Sequence, residues 1–149
     1  LIIPDVNLLV YAYNTDAPFH SLARRWWETC VSGSQPVGIP WAVALGYLRL
    51  MTNARVHPRP LTMAVALGHL RLWLEQPSVL ILQPGPRHLG ILTGFCEAGT
   101  LSGPLLTDAH IAALAIENQA IVHSNDSDFS RFAGLRWINP LAGPPKRAQ

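Results

Sequence analysis

A chain of 149 residues is the size of one ordinary domain, and its 49% hydrophobic content is ample for a single core. Only 13% of the residues are charged, about half the usual share, which predicts an apolar face covered by a second copy of the chain or by a partner. No apolar run reaches the roughly 18 residues of a membrane span, no secretory leader is evident, and two cysteines at this spacing suggest no zinc site, so the expectation is a reduced cytoplasmic protein with no membrane contact.

In chain order, short apolar runs alternate with helical patterns. Residues 1–6 read as a strand, and residues 7–13 begin a helix that the turn residues at 14–18 break. Residues 20–31 are helical, with Leu22, Trp26 and Cys30 on one stripe, and a short strand follows at 37–39. Leu45, Leu48 and Met51 line a helix over 41–52. A proline-bounded loop at 57–60 leads to a helix over 61–74 and a strand over 79–82. Next come a helix over 86–98, a loop over 99–104 and an alanine-rich helix over 106–117. A strand at 120–123, a polar turn-like stretch at 125–132 and a last strand at 135–138 complete the domain, expected over 1–141, with 142–149 as a flexible tail. This alternation predicts an α/β fold with a parallel sheet of four to five strands and helices on both faces. Ligands of such sheets bind at the carboxyl ends of the strands.

Few acids are present, nine in all, and their placement is informative. Asp5 closes the first predicted strand, Asp126 and Asp128 follow the fourth, and Asp108 lies in the first turn of the alanine-rich helix. Each has an ordinary reading as well: Asp5 as a helix cap, Asp108 as a first-turn acid, Asp126 and Asp128 as turn formers. Gathered at one edge, however, they repel one another unless a proton or cation compensates. A hard divalent cation with oxygen ligands suits them, Mg2+ with Mn2+ as the alternative, and such an ion acidifies a water and stabilises charge on a phosphodiester. No phosphate-binding glycine loop is present. Lys146 is the sole lysine among eleven basic residues, and the arginine bias suits bidentate phosphate contacts, although a GC-rich coding sequence would produce it too. A net charge of +2 permits nucleic-acid binding without demanding it.

The stretch Leu105-Leu106-Thr107-Asp108-Ala109-His110-Ile111-Ala112-Ala113-Leu114-Ala115 resembles the acidic, alanine-rich helix of VapC-type PIN domains. Asn125-Asp126-Ser127-Asp128-Phe129 is similar to that family's Asp-x-Asp-Phe segment, Ile2-Ile3-Pro4-Asp5-Val6-Asn7 to its first strand, and residues 131–141 to its usual ending. The resemblance implies a PIN fold and cleavage of RNA, such as tRNA or rRNA, by an activated water with Mg2+ or Mn2+. It implies the toxin half of a type II toxin–antitoxin pair, a cognate VapB-type antitoxin and a homodimer. By the same resemblance Asp5, Asp108 and Asp126 would be the metal-binding acids and Asp128 a further acid in or near the site. Asn7 and Ser124 would hold water or phosphate, and Arg49 would touch RNA or pair with an acid.

One position departs from the pattern. Where many family members carry a glutamate early in the third helix, this chain has Gly46, and Glu28 and Glu117 are the acids left to stand in for it. A non-catalytic PIN-fold protein that keeps RNA or antitoxin binding is therefore the alternative reading. A phosphoaspartate module is a weaker rival, because it needs a lysine beside the phosphoryl group and Lys146 lies in the expected tail. His88 and His110 are expected as structural helix residues, and the five tryptophans as core or interface, with base stacking as their other use.

Overall fold

A computed structural model describes residues 1–143; the last six residues of the expected tail lie outside the described residues. The elements are β1 (Ile2–Pro4), α1 (Val6–Tyr13), α2 (His20–Ser32), β2 (Val37–Pro40), α3 (Trp41–Met51), α4 (Met63–Leu74), β3 (Val79–Leu82), α5 (His88–Glu97), α6 (Leu106–Glu117), β4 (Ile121–His123) and β5 (Arg136–Ile138). Short 3-10 turns at Gly103–Leu105 and Ser127–Arg131 join them.

All five strands are parallel, in the order β3-β2-β1-β4-β5. The chain steps outward from β1 through β2 to β3, then crosses back to lay β4 on the other side of β1. Right-handed crossovers place α1 to α4 on one face and α5 with α6 on the other. β1 is thus central and covered on both faces, which is why Ile2 and Ile3 form an unbroken apolar run rather than an alternating one. Pro4 is in register with His123, and His123 with Ile138, so the carboxyl ends of β1, β4 and β5 finish side by side.

Small side chains bring α6 close to its neighbours. Ala109, Ala112, Ala113 and Ala115 are buried with Ile111 and Leu114, and alanine's high helix propensity holds the segment helical without bulk. On the opposite face an aromatic cluster fills the space beneath α1 to α4. Trp73 Nε1 donates to the Tyr13 hydroxyl at 2.7 Å, the Tyr47 hydroxyl pairs with His69 Nδ1 at 2.7 Å, and Trp27 packs edge-on against Trp73 at 5.3 Å. Helix α3 approaches α1 at Gly46, where a Cβ would meet Val6 Cγ2 at 3.3 Å.

The expected elements are all present, with shifted ends. The helix expected from residue 61 begins at Met63, because the Thr62 hydroxyl accepts from Val65 N at 3.3 Å and caps it. The helix expected from residue 86 begins at His88, and the amides of Gly85 and Arg87 just ahead of it donate to the Glu117 carboxylate. Leu114 sits fully buried in α6, so Leu114→Ala should cost about 2–5 kcal/mol, read as a lowered urea midpoint. A midpoint within error of the wild type would show that α6 is not part of the core.

Candidate active site

Asp5 follows β1 directly, and its position is set by the strand. Its amide donates to the His123 carbonyl at 2.9 Å, continuing the β1–β4 ladder one step past the strand. Its carboxylate is 4% exposed. One oxygen accepts from Val6 N at 2.7 Å, which caps α1, and the other accepts from the Ser124 hydroxyl at 2.7 Å. Capping and membership of an acid cluster are therefore compatible in this residue.

Ser124 is fully buried one residue beyond β4 and extends the chain of contacts. Its hydroxyl accepts from Asp126 N at 2.9 Å, while its own amide donates to Ile138 O at 3.0 Å. Asp126 in turn accepts from Asp128 N at 2.9 Å and caps the 3-10 turn over Ser127–Arg131. Asp128 pairs with Arg131 Nε at 3.1 Å. A continuous line of hydrogen bonds thus runs from the end of β1 to the loop after β4 and holds three of the four acids.

Asp108 comes from the first turn of α6, which starts at this same edge because it runs back toward the start of β4. Partial burial pushes its carboxyl up to about 6, and repulsion from Asp5, Asp126 and Asp128 adds to the rise. Burial also raises Asp5, against the lowering effect of its bonds from Ser124 and Val6, and Asp126 adds repulsion. The four acids therefore share one electrostatic neighbourhood, in which only Asp128 has a cationic partner among the described residues.

This donor set fits a hard divalent cation: every candidate ligand is a carboxylate oxygen, and each Asp5 oxygen keeps one lone pair beyond its hydrogen bond. Among the described residues no three acidic, His or Cys side chains are closed into a ready-made coordination group, so the acids are gathered without being locked together.

The remaining candidates separate. Asn7 is half-buried in the first turn of α1. Arg49 is exposed near the end of α3 and pairs with no acid among the described residues, so the expected ion pair is not formed. Neither Glu28 nor Glu117 replaces the missing glutamate. Glu28 pairs with Arg24 on the outer face of α2. Glu117 ends α6, about 14 Å along the helix from Asp108 by the 1.5 Å rise. There it accepts from Gly85 N, Arg87 N and His88 Nδ1, and His88 Nε2 meets His110 Nδ1 at 3.0 Å, which makes both histidines structural as expected. Sequence reasoning missed the bond from Trp26 Nε1 to His123 Nδ1 at 2.9 Å, which joins residues 97 apart with no local signal. The pairing of Asp128 with Arg131 did have a signal in its three-residue spacing.

Because the Asp108 carboxyl titrates above its unfolded value of 3.8, the stability it contributes is present below about pH 4 and lost as pH rises through about 6. Asp108→Asn should therefore stabilise the metal-free protein at pH 7.5 by on the order of 1 kcal/mol after discounting for solvent screening, and give little gain at pH 4. Thermal melts in EDTA at the two pH values check this; equal destabilisation at both would contradict the repulsion.

Sequence and structure comparisons place the chain in a known family. Residues 2–135 match the family described as the PIN domain. Ribonuclease VapC33 of Mycobacterium tuberculosis is 45% identical over 141 residues, covering 95% of this chain and 99% of that one. Ribonuclease VapC37 of the same organism is 40% identical over 140 residues, covering 94% and 97%. Among solved structures, VapBC2 from Rickettsia felis bound to a promoter DNA fragment superposes with a TM-score of 0.63 at 18% identity, covering 93% of this chain and 97% of that one. VapC20 of Mycobacterium tuberculosis, a Sarcin-Ricin loop cleaving toxin, superposes with a TM-score of 0.59 at 19% identity, covering 91% and 99%.

Proposed function

The chain belongs to the PIN-domain family, among the VapC ribonucleases, and from that premise we propose that it is a metal-dependent endoribonuclease acting as the toxin of a toxin–antitoxin pair. The observation that carries the reading is the gathering of Asp5, Asp108, Asp126 and Asp128 at one sheet edge, with the Asp108 carboxyl raised to about 6.

Asp5, Asp108 and Asp126 would hold the cation, Mg2+ or Mn2+, with Asp128 beside them. When bound, that ion offsets charge on the phosphodiester and acidifies a water. The chain's own residues do the positioning. Ser124 fixes the Asp5 carboxylate through a 2.7 Å bond, and the Val6 amide fixes its other oxygen. Asp126 is oriented by its place as cap of the 3-10 turn. Helices α1 and α6 both begin at this edge, so their positive ends favour an incoming phosphate. Arg131 balances Asp128 and limits the negative field that RNA must approach.

The partners follow from kinship and surface. The Rickettsia felis neighbour is a VapBC assembly and the Mycobacterium tuberculosis VapC20 neighbour cleaves the Sarcin-Ricin loop, so a VapB-type antitoxin and a structured RNA, tRNA or rRNA, are proposed here. Leu45, Leu72 and Leu89 are 56%, 58% and 76% exposed, apolar surface that a homodimer or antitoxin would cover. The non-catalytic alternative is less favoured: Gly46 removes one acid, while the four others remain together.

Purified protein should cut total cellular RNA into discrete fragments with Mg2+ or Mn2+ and not with EDTA. Asp5→Asn and Asp108→Asn should each lower the rate at least 100-fold, and Ser124→Ala about 10–100-fold, the usual effect of removing a group that orients a metal ligand. Cleavage that survives EDTA, or full activity in Asp5→Asn, would overturn the assignment.

A further inference from the structure

A groove of about 720 Å3 runs between α2 and the β4–β5 side of the sheet. It exists because the helical layer on that face stops at α2, leaving Ile138 on β5 48% exposed. Leu22, Arg25, Trp26 and Thr29 line one stripe of α2 along it, His123 closes it on the sheet side, and Ser34 stands at its far end.

Two features give the groove a chemical preference. His123 is only 9% exposed, and its Nδ1 accepts a hydrogen bond from Trp26 Nε1 at 2.9 Å. An indole N–H can only donate, so the neutral imidazole carries its proton on Nε2. That Nε2–H has no protein acceptor among the described residues, and His123 faces the groove. Arg25 is exposed and pairs with no acid among the described residues, and no carboxylate lines the groove. A free donor, an unpaired guanidinium and a half-buried indole together ask for a flat group with acceptor atoms and an attached anion.

The groove also adjoins the acid cluster. The His123 carbonyl accepts from Asp5 N, and the next residue, Ser124, holds the Asp5 carboxylate. Trp26 reaches His123 at the carboxyl edge, while the far end of α2 leads to the start of β2 at the amino edge. None of the four acids lines the groove, which meets their edge of the sheet at His123.

We propose that this groove holds an unpaired nucleotide of the RNA next to the cleaved bond, its base against Trp26, a base acceptor on His123 Nε2 and its phosphate on Arg25. This rests on the RNA-cleaving reading above and adds a place where single-stranded sequence is read. Stacking on an aromatic ring with an arginine on the backbone is how single-stranded RNA is commonly held. A protein segment could meet the same donors only with a carboxylate or carbonyl placed against each, whereas one nucleotide brings a flat ring, base acceptors and a phosphate together.

The test is binding of a short fluorescein-labelled single-stranded RNA in EDTA, followed by anisotropy, with Arg25→Ala and with Thr29→Phe, which fills the groove from the exposed surface of α2. Each variant should weaken binding at least threefold, Arg25→Ala should reduce the slope of log affinity against log salt by about one, and a 4-thiouridine RNA should photo-cross-link to the α2 stripe. Wild-type affinity in both variants, cross-links confined elsewhere, or variants that weaken only a protein partner would overturn the proposal. Cleavage of the same RNA by wild-type protein with Mn2+ separates the two readings. Cleavage with groove-independent binding removes the groove alone, whereas groove-dependent binding without cleavage removes the nuclease and leaves the groove.

Discussion

The buried carboxylate of Asp5, 4% exposed at the end of the central strand, is the constraint on which the carboxyl edge depends. A charge there is costly unless it is bonded. Two hydrogen bonds meet it, from the Val6 amide and the Ser124 hydroxyl, and they determine the start of α1 and the path after β4. The Ser124 hydroxyl can donate to Asp5 and accept from Asp126 only if β4 lies beside β1, so the strand order and the site are one arrangement. Burial, with a smaller repulsion from Asp126, opposes these bonds and leaves the Asp5 carboxyl raised. The metal-free edge is held together by hydrogen bonds and pushed apart by charge.

The same opposition acts on the other acids, Asp108 above all. Stability and chemistry make different demands on them: the folded chain without an ion is eased by protonation of Asp108, while a cation needs the same carboxyl ionised. Gly46 fits the same balance. Its bare Cα lets α3 close on Val6, one residue from Asp5, and a longer side chain there would first have to displace Val6 from 3.3 Å contact.

Local signals made much of this legible in the sequence. Asp5, Asp126 and Asp128 could be placed at strand ends because each follows an apolar run within a few residues, and Asp108 because the alanine run marks its helix. The cap at Thr62 was also readable in principle, being a hydroxyl residue just ahead of a helical pattern. Contacts made across the sheet were not. Trp26 meets His123 only because the chain jumps from β3 back past β1 to β4, and no periodicity encodes that jump. Likewise the turn ahead of α5 is bonded to Glu117, which lies 30 residues beyond the Arg87 amide that donates to it. Arg49 stands exposed and without an acid partner among the described residues, so of its two expected roles the ion pair is not formed, since residue type alone does not place a side chain.

The four carboxylates are proposed to form one divalent-cation site in which the Asp108 carboxyl, raised to about 6, is the group that gives up a proton to the ion. Calorimetric titration of Mn2+ into the metal-free protein, in buffers of different ionisation enthalpy, tests it most directly. The account predicts binding that releases a fraction of a proton near pH 6 and essentially none at pH 8, because the Asp108 carboxyl, at about 6, is by then ionised. It also predicts that Asp108→Asn removes the proton release. Absence of Mn2+ binding, or binding with the same proton release in wild type and Asp108→Asn, would contradict it.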